Sequence, residues 1–410
     1  MPAIASTDVP DATLLVTLAG PDRPGITARL MGLLDAVGAH VDDVEQVVVR
    51  RQLVLGVVVR TDGEATVRTE LARLAADTGL QIDIEPVDAT PTERQLGAVV
   101  TLMAAEVQPV QIGAVAHAVA GAGGNIDRIV RLARYPVTAY ELTVLGATVV
   151  ELRRALADVS RGHGLDIAIQ PEGLGRRAQR LVVMDVDSTL IQDEIIELLA
   201  DEAGCGQAVR AVTERAMRGE IDFAASLRER VRCLAGLDTA ALDRARSRVR
   251  LTPGARTFVR TLRRLGFRVA IVSGGFTFFT DRLAAELQLD HAFANELEIV
   301  DGRLTGEVVG PVVDRRRKAE LLRQVAAAEG IDLDQTVAVG DGANDLDMLA
   351  AAGLGVAFNA KPVVRDAADT SVSVPYLDAI LFVLGVRRSE VEAADDADGV
   401  TRIDPPLTPA

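Results

Sequence analysis

One segment recurs after a fixed spacing, and nothing else restricts this chain as strongly. Gly79-Leu80-Gln81-Ile82-Asp83-Ile84-Glu85-Pro86 returns as Gly164-Leu165-Asp166-Ile167-Ala168-Ile169-Gln170-Pro171, an offset of 85 residues. The same offset carries Gly38-Ala39-His40-Val41-Asp42 onto Gly123-Gly124-Asn125-Ile126-Asp127, and Pro24 onto Pro109. One offset held across more than 60 residues without a gap means two copies of one domain. Each copy reads strand, helix, strand, strand, helix, strand. In the first, residues 14–18 are an apolar strand, and Ile26, Leu30, Leu33 and Leu34 have helical spacing closed by Gly38. Residues 41–49 and 53–59 are β-branched runs around Arg50-Arg51-Gln52, which predicts a hairpin. Residues 67–76 give the second helix and 80–84 the last strand, a ferredoxin-like βαββαβ order.

The strand, the turn Gly20-Pro21-Asp22-Arg23-Pro24-Gly25 and the helix after it resemble the ACT domain, a small module that binds amino acids. The resemblance covers residues 12–88 and, through the repeat, 96–171. It implies a regulatory amino acid, most simply L-serine, at Gly20, Asp22 and Gly25. Free N–H groups of a glycine turn at a helix start suit a carboxylate. The second copy reads Ala105-Glu106-Val107-Gln108-Pro109-Val110 and lacks both glycines, so the ligand is expected on the first. Such domains usually pair, which implies a homodimer.

A Gly/Arg linker, residues 172–180, leads to a second pattern. Residues 181–184 form a short buried-type strand, and residues 191–250 are helical throughout. Short apolar strands and helices then alternate, which predicts an α/β doubly wound parallel sheet. An Asp301-Gly302 turn inserts one hairpin. The acidic stretch 387–410 is expected to be disordered.

Four polar groups sit at the ends of these strands, or before a helix. They are Asp185-Val186-Asp187-Ser188-Thr189, Ser273-Gly274-Gly275, Lys318 and Gly340-Asp341-Gly342-Ala343-Asn344-Asp345. Carboxyl ends of parallel strands are where such sheets hold ligands. The set, in this order over residues 181–386, resembles the haloacid dehalogenase superfamily of phosphatases. That resemblance implies a nucleophile at Asp185, which would form an aspartyl phosphate. It implies a general acid and base at Asp187. Magnesium would sit on Asp185, Asp341 and the Asp187 carbonyl, since a hard cation takes oxygen ligands. Ser273, Gly274, Lys318 and Asn344 would hold the phosphoryl group, with Asp345 fixing Lys318 or a metal-bound water.

The helical insertion, about residues 191–250, reads as a cap that selects substrate. It carries Glu194 for an ammonium, Arg230 for a carboxylate, and Phe223 and Met217 as apolar walls. This arrangement resembles the phosphoserine phosphatases, which implies hydrolysis of O-phospho-L-serine as the last step of L-serine synthesis. Another small phosphomonoester such as homoserine phosphate, a phosphotransferase, and an inactive amino-acid sensor are the rivals.

Composition narrows the setting. A net charge of −15 argues against nucleic-acid binding. No apolar stretch approaches the ~20 residues a membrane span needs, and residues 1–10 lack a signal-peptide pattern, so a cytoplasmic protein is expected. Two cysteines and four scattered histidines form no metal spacing. Only two of the 44 basic residues are lysines, Lys318 and Lys361. A compact ammonium suits a tight phosphate pocket better than a guanidinium, which singles out Lys318.

Overall fold

The structure, a computed structural model, describes residues 12–88 and 97–400, apart from the side chain of Met217. It divides into two units, residues 1–94 and 95–410.

The first unit runs β1 (Ala12–Pro21), α1 (Ile26–Ala36), β2 (His40–Val49), β3 (Gln52–Thr61), α2 (Glu64–Thr78) and β4 (Gln81–Pro86). Its antiparallel sheet has the order β2-β3-β1-β4. Alternate residues of β1 and β3, among them Leu14, Val16, Leu55 and Val57, point inward and pack beneath Leu30, Leu34, Val67 and Leu71 of the two helices. Arg50 and Arg51 take positive φ and close the predicted hairpin.

The second unit begins with the repeat: β5 (Ala98–Ala104), α3 (Pro109–Gly121), β6 (Asn125–Ala133), β7 (Thr138–Leu145), α4 (Val149–His163) and β8 (Asp166–Pro171), in sheet order β6-β7-β5-β8. The offset of 85 places α4 and β8 on α2 and β4 to the residue. Strands β5 and β7 start one residue late, and α3 begins at Pro109, two residues early, because proline is pre-set for a first helical turn.

The α/β part follows. Its elements are α5 (Leu174–Arg177), β9 (Leu181–Met184), α6 (Ile195–Glu202), α7 (Gly206–Met217), α8 (Phe223–Arg232), α9 (Thr239–Arg248), α10 (Ala255–Arg264), β10 (Arg268–Phe276), α11 (Thr277–Leu287), β11 (His291–Val300), β12 (Arg303–Val309), α12 (Arg315–Glu329), β13 (Thr336–Gly340), α13 (Leu346–Ala351), β14 (Leu354–Phe358), α14 (Pro362–Ala367), β15 (Thr370–Val372), α15 (Ile380–Val383) and α16 (Arg388–Ala397). Seven strands form one sheet in the order β12-β11-β10-β9-β13-β14-β15, parallel except for β12. Successive residues of β9 and β13 feed opposite cores: Val182, Met184 and Val337 go to one face, Leu181, Val183 and Ala338 to the other. Burial on both faces explains why these strands read as unbroken apolar runs.

Two expectations are corrected. The Gly/Arg stretch 172–180 is not a loose linker. Arg176 lies against Glu141 at 2.6 Å and the Val383 carbonyl at 3.4 Å, its side chain only 9% exposed. Met103, Leu132, Val137 and Ala168 of the repeat lie in the same apolar core as the seven-stranded sheet. Gln170 donates to the Val383 carbonyl, and Asp166 accepts from the Ser373 N–H. The tail is not disordered over its described part. It forms α16, with Val391 buried and Asp395 accepting from Arg260 and Arg264 at 2.6–2.9 Å. Residues 401–410 lie outside the described residues.

Burial pushes the Asp395 carboxyl up, but the two guanidinium groups outweigh it and hold it below the usual range. A depressed carboxyl adds stability above its unfolded pKa and loses it as pH falls through the folded one, so α16 should release below about pH 4. Asp395→Ala should cost about 1.5–3 kcal/mol, the worth of hydrogen bonds to charged groups. Proteolysis after residue 387 at neutral pH checks it; cleavage no faster than in wild type would mean the ion pairs do not anchor the helix.

Candidate active site

The site forms where β9, β10 and β13 end side by side. Strand β9 delivers Asp185, whose N–H donates to the Val339 carbonyl of β13 at 2.9 Å. Its Oδ1 accepts from the Val186 N–H and from Lys318 Nζ, both at 2.7 Å. Lys318 projects from the first turn of α12, a helix capped by Asp314, which accepts from the Arg317 N–H. The same ammonium reaches Asp345 Oδ1 at 2.7 Å, and Asp345 Oδ2 accepts from the Gly342 N–H. A Cβ on Gly340 would stand 2.5 Å from the Asp345 side chain, so only glycine lets that carboxylate in.

Electrostatics follow from this burial. Burial and Asp345 push the Asp185 carboxyl well above its ordinary value against the pull of Lys318. Burial opposes the charge on Lys318, but Asp185 and Asp345 outweigh it and raise the ammonium. Asp341 is pushed up to about 6 by burial and Asp345. One oxygen each from Asp185, Asp341 and Asp345 lies within 4.8 Å of the others. This hard, anionic oxygen set fits a divalent cation such as magnesium. It brings in Asp345, which the sequence suggested only as a support.

Asp187 sits in the turn Val186–Leu190, where Ser188 takes φ 58°. Its two oxygens accept from the Ile195 N–H at 2.8 Å and from Ser273 Oγ at 3.0 Å. Ser273 Oγ in turn accepts from the Gly275 N–H at 2.7 Å. The Ser273 hydroxyl therefore points at Asp187, and the residue is fully buried behind the wall. Burial raises the Asp187 carboxyl.

Above this floor lies a cavity of about 590 Å³. Asp185, Asp187, Gly274, Asp341 and Asn344 line its floor, and Glu194, Phe223 and Arg230 line the cap side. Glu194 precedes α6 and accepts from Ser188 Oγ at 2.8 Å; burial and Asp187 push it up to about 7. Arg230, at the end of α8, is half-buried, its Nε donating to the Ser226 carbonyl at 3.3 Å. Burial lowers its pKa, while Glu194 and Asp187 favour its charge. A Cβ on Gly274 would approach the Phe223 ring to 3.0 Å, so cap and core touch there. The Met217 side chain lies outside the described residues.

Sequence reasoning gave no role to four residues. Ser188 orients Glu194, Thr189 donates to Asp341 at 3.0 Å, and Thr252 donates to the Thr189 carbonyl at 2.7 Å. Asn295 spans the Gly274 carbonyl and the Val313 N–H. The first two follow the Asp185-x-Asp187 pair directly, a signal that was on the page. Thr252 carried no local signal.

Of the regulatory candidates, Gly20 lies next to the end of β1 within the strand pairing, the Asp22 N–H donates to the Arg51 carbonyl at 2.8 Å, and Gly25 takes φ 91° before α1. Among the described residues, no side chain caps α1, whose N-cap position is Gly25. In the second repeat, Gln111 turns back to accept from the Gln108 N–H at 2.7 Å.

Residues 182–350 match the haloacid dehalogenase-like hydrolase family, and residues 12–85 and 97–170 each match an ACT domain. The phosphoserine phosphatase of Streptomyces coelicolor is 55% identical over 399 residues, 96% of this chain and 97% of that one. The phosphoserine phosphatase of Mycobacterium tuberculosis is 49% identical over 403 residues, 96% of this chain and 98% of that one. A solved haloacid dehalogenase-family hydrolase from Salmonella enterica is 32% identical, covers 70% of this chain and 98% of its own, and superposes with a TM-score of 0.62. With such identity over nearly the whole length, this chain belongs to the phosphoserine phosphatases, haloacid dehalogenase-like hydrolases that here carry two ACT domains.

Proposed function

We propose that the enzyme hydrolyses O-phospho-L-serine to L-serine and phosphate through an aspartyl phosphate on Asp185, supported by magnesium. The observation that carries this reading is the single cavity with Asp185 and Asp187 on its floor and Glu194 and Arg230 on its cap side. Opposite charges at the far end match the ammonium and carboxylate of a phospho-amino acid. A sugar phosphate offers neither.

With Asp185 Oδ1 tied to Lys318 and the Val186 N–H, its other oxygen attacks phosphorus. Asp187, aimed by the Ile195 N–H and Ser273, gives its proton to the departing serine oxygen. It then takes a proton from the water that cleaves the aspartyl phosphate and restores Asp185. Asn344 and the Gly274 N–H hold phosphoryl oxygens from the cavity wall, while Lys318 acts from behind through Asp185. Magnesium, bound by Asp185, Asp341 and either the Asp187 carbonyl or Asp345, would supply positive charge that offsets repulsion between carboxylates and a phosphate dianion.

Asp185→Asn should remove turnover and any acid-stable, hydroxylamine-sensitive phosphoenzyme while leaving the circular dichroism spectrum intact. Chelation should silence wild type, and magnesium should restore it. Turnover of the variant within about tenfold of wild type would sink the nucleophile assignment.

Arg230→Ala tests the substrate. A hydrogen bond to a charged group is worth ~1.5–3 kcal/mol, so KM for phosphoserine should rise about 10- to 100-fold. Phosphoethanolamine, which has no carboxylate, should lose far less. Equal losses would mean that Arg230 does not read the carboxylate.

The same reading puts the reaction at the last step of L-serine synthesis, in the cytoplasm, under feedback by L-serine on the first repeat. The uncapped start of α1 supports that choice of repeat over the second, where Gln111 fills the corresponding place. A homodimer is part of the proposal: edge strand β2 exposes Val41, Val44, Val47, Val48 and Val49 at 42–59%. Asp22→Ala should shift the serine dose–response by at least about fivefold, and sedimentation should give the mass of two chains. Coincident curves would leave product inhibition at the active site; a monomer at working concentration would remove the dimer.

A further inference from the structure

Of the chain's two lysines, the chemistry above uses one. Lys361 follows β14, the strand next to β13, so its loop opens at the same carboxyl edge of the sheet as Asp341. It lines the same cavity as Asp185 and Asp341. Its carbonyl accepts from the Val364 and Arg365 N–H groups at 2.9 and 3.1 Å, and Val364 beneath is fully buried. The backbone is thus fixed, while the residue is exposed. Among the described residues no carboxylate forms an ion pair with it.

The charge around it gives this position a task. Asp185, Asp187, Glu194, Glu197 and Asp341 line the cavity, against Arg230 and Lys361 alone. Lys318 lies behind the wall, 1% exposed and held between two carboxylates. Even with a magnesium ion on Asp185 and Asp341, the five carboxylates outnumber the positive charges lining the cavity, so a phosphate dianion arriving from solvent is not drawn in by net charge. Arg230 is half-buried under the cap, so Lys361 is the cation such an anion can reach first.

We propose that Lys361 forms an outer anion subsite at the cavity mouth. Its ammonium takes the phosphoryl group of an arriving phosphomonoester before it reaches Asp185, and it holds inorganic phosphate on the way out. This rests on the phosphomonoesterase reading above and adds a binding step to it. The residue type fits a transfer point. A guanidinium grips phosphate bidentately, whereas an ammonium is a strongly hydrated point charge on a flexible stem. This chain spells nearly every other cation as arginine.

The test uses the full chain with Lys361→Ala, Lys361→Glu and Lys361→Arg, assayed on phosphoserine with excess magnesium over a range of sodium chloride. Electrostatic capture raises association by ~10-fold or more and is screened by salt. Lys361→Ala should therefore lower kcat/KM about 10-fold, Lys361→Glu more, and Lys361→Arg little. The fall of kcat/KM with salt should flatten in Lys361→Ala while kcat stays within about twofold. Inhibition by inorganic phosphate should weaken in parallel, which reports the outgoing arm separately from the incoming one. An unchanged kcat/KM and salt slope would overturn the subsite, as would a loss confined to kcat, the mark of a disturbed α14. A wild-type chain inert toward phosphoserine would instead overturn the preceding reading. Calorimetric titration of inorganic phosphate would still decide this one, and equal affinity in wild type and Lys361→Ala would end it.

Discussion

A buried ammonium between two buried carboxylates organises the catalytic half of this molecule. Lys318 contacts Asp185 on one side and Asp345 on the other, each at 2.7 Å. None of the three tolerates burial alone, since an isolated charge there would cost several kcal/mol. Together they tie β9, α12 and the loop after β13 to one point. The surrounding sequence serves that contact: an Asp314 cap starts α12 in register, and Gly340 clears space for Asp345. A site so tightly cross-tied presents Asp185 with little reorganisation left to do during chemistry.

The cap is held differently. Its helices reach the floor through the Phe223 ring against Gly274 and through Glu194 on Ser188, contacts at a mixed polar and apolar seam. The floor is a lattice of charge-assisted bonds with few degrees of freedom. The cap side is held by packing, by the Glu194–Ser188 contact, and by backbone bonds that include the Ile195 N–H on Asp187 and the Gly236 N–H on the Leu304 carbonyl. Chemistry and selection meet at Asp187, whose carboxylate accepts from the first residue of α6, directly after Glu194.

Much of this was legible from the chain alone. The repeat, the alternation of apolar strands with helices, and the acidic pairs at strand ends gave both architectures and most of the floor. Such features are local, with causes a few residues away. The rest depended on partners far along the chain. Helix α16 reads as an acidic, alanine-rich stretch with no reason to order. What orders it is Arg260 and Arg264, more than 130 residues earlier. Arg176 reads as one arginine among several in a spacer, until Glu141 and the Val383 carbonyl close around it. Ser273 was expected at the phosphate, and its bond to Asp187 carried no sign in the sequence. Direction within a cluster depends on rotamers, which composition does not record.

The second repeat does not sit on the hydrolase-type part as a detachable module. Its Met103, Leu132, Val137 and Ala168 belong to the apolar interior that also holds Met184 and Phe382. A cut at residue 180 would respect the sequence motifs yet divide one interior in two. Each half would then carry a raw apolar face into water, and the Val383 carbonyl would lose both Gln170 and Arg176. In this protein the smallest piece that keeps its inside dry is larger than the smallest piece that contains the chemistry.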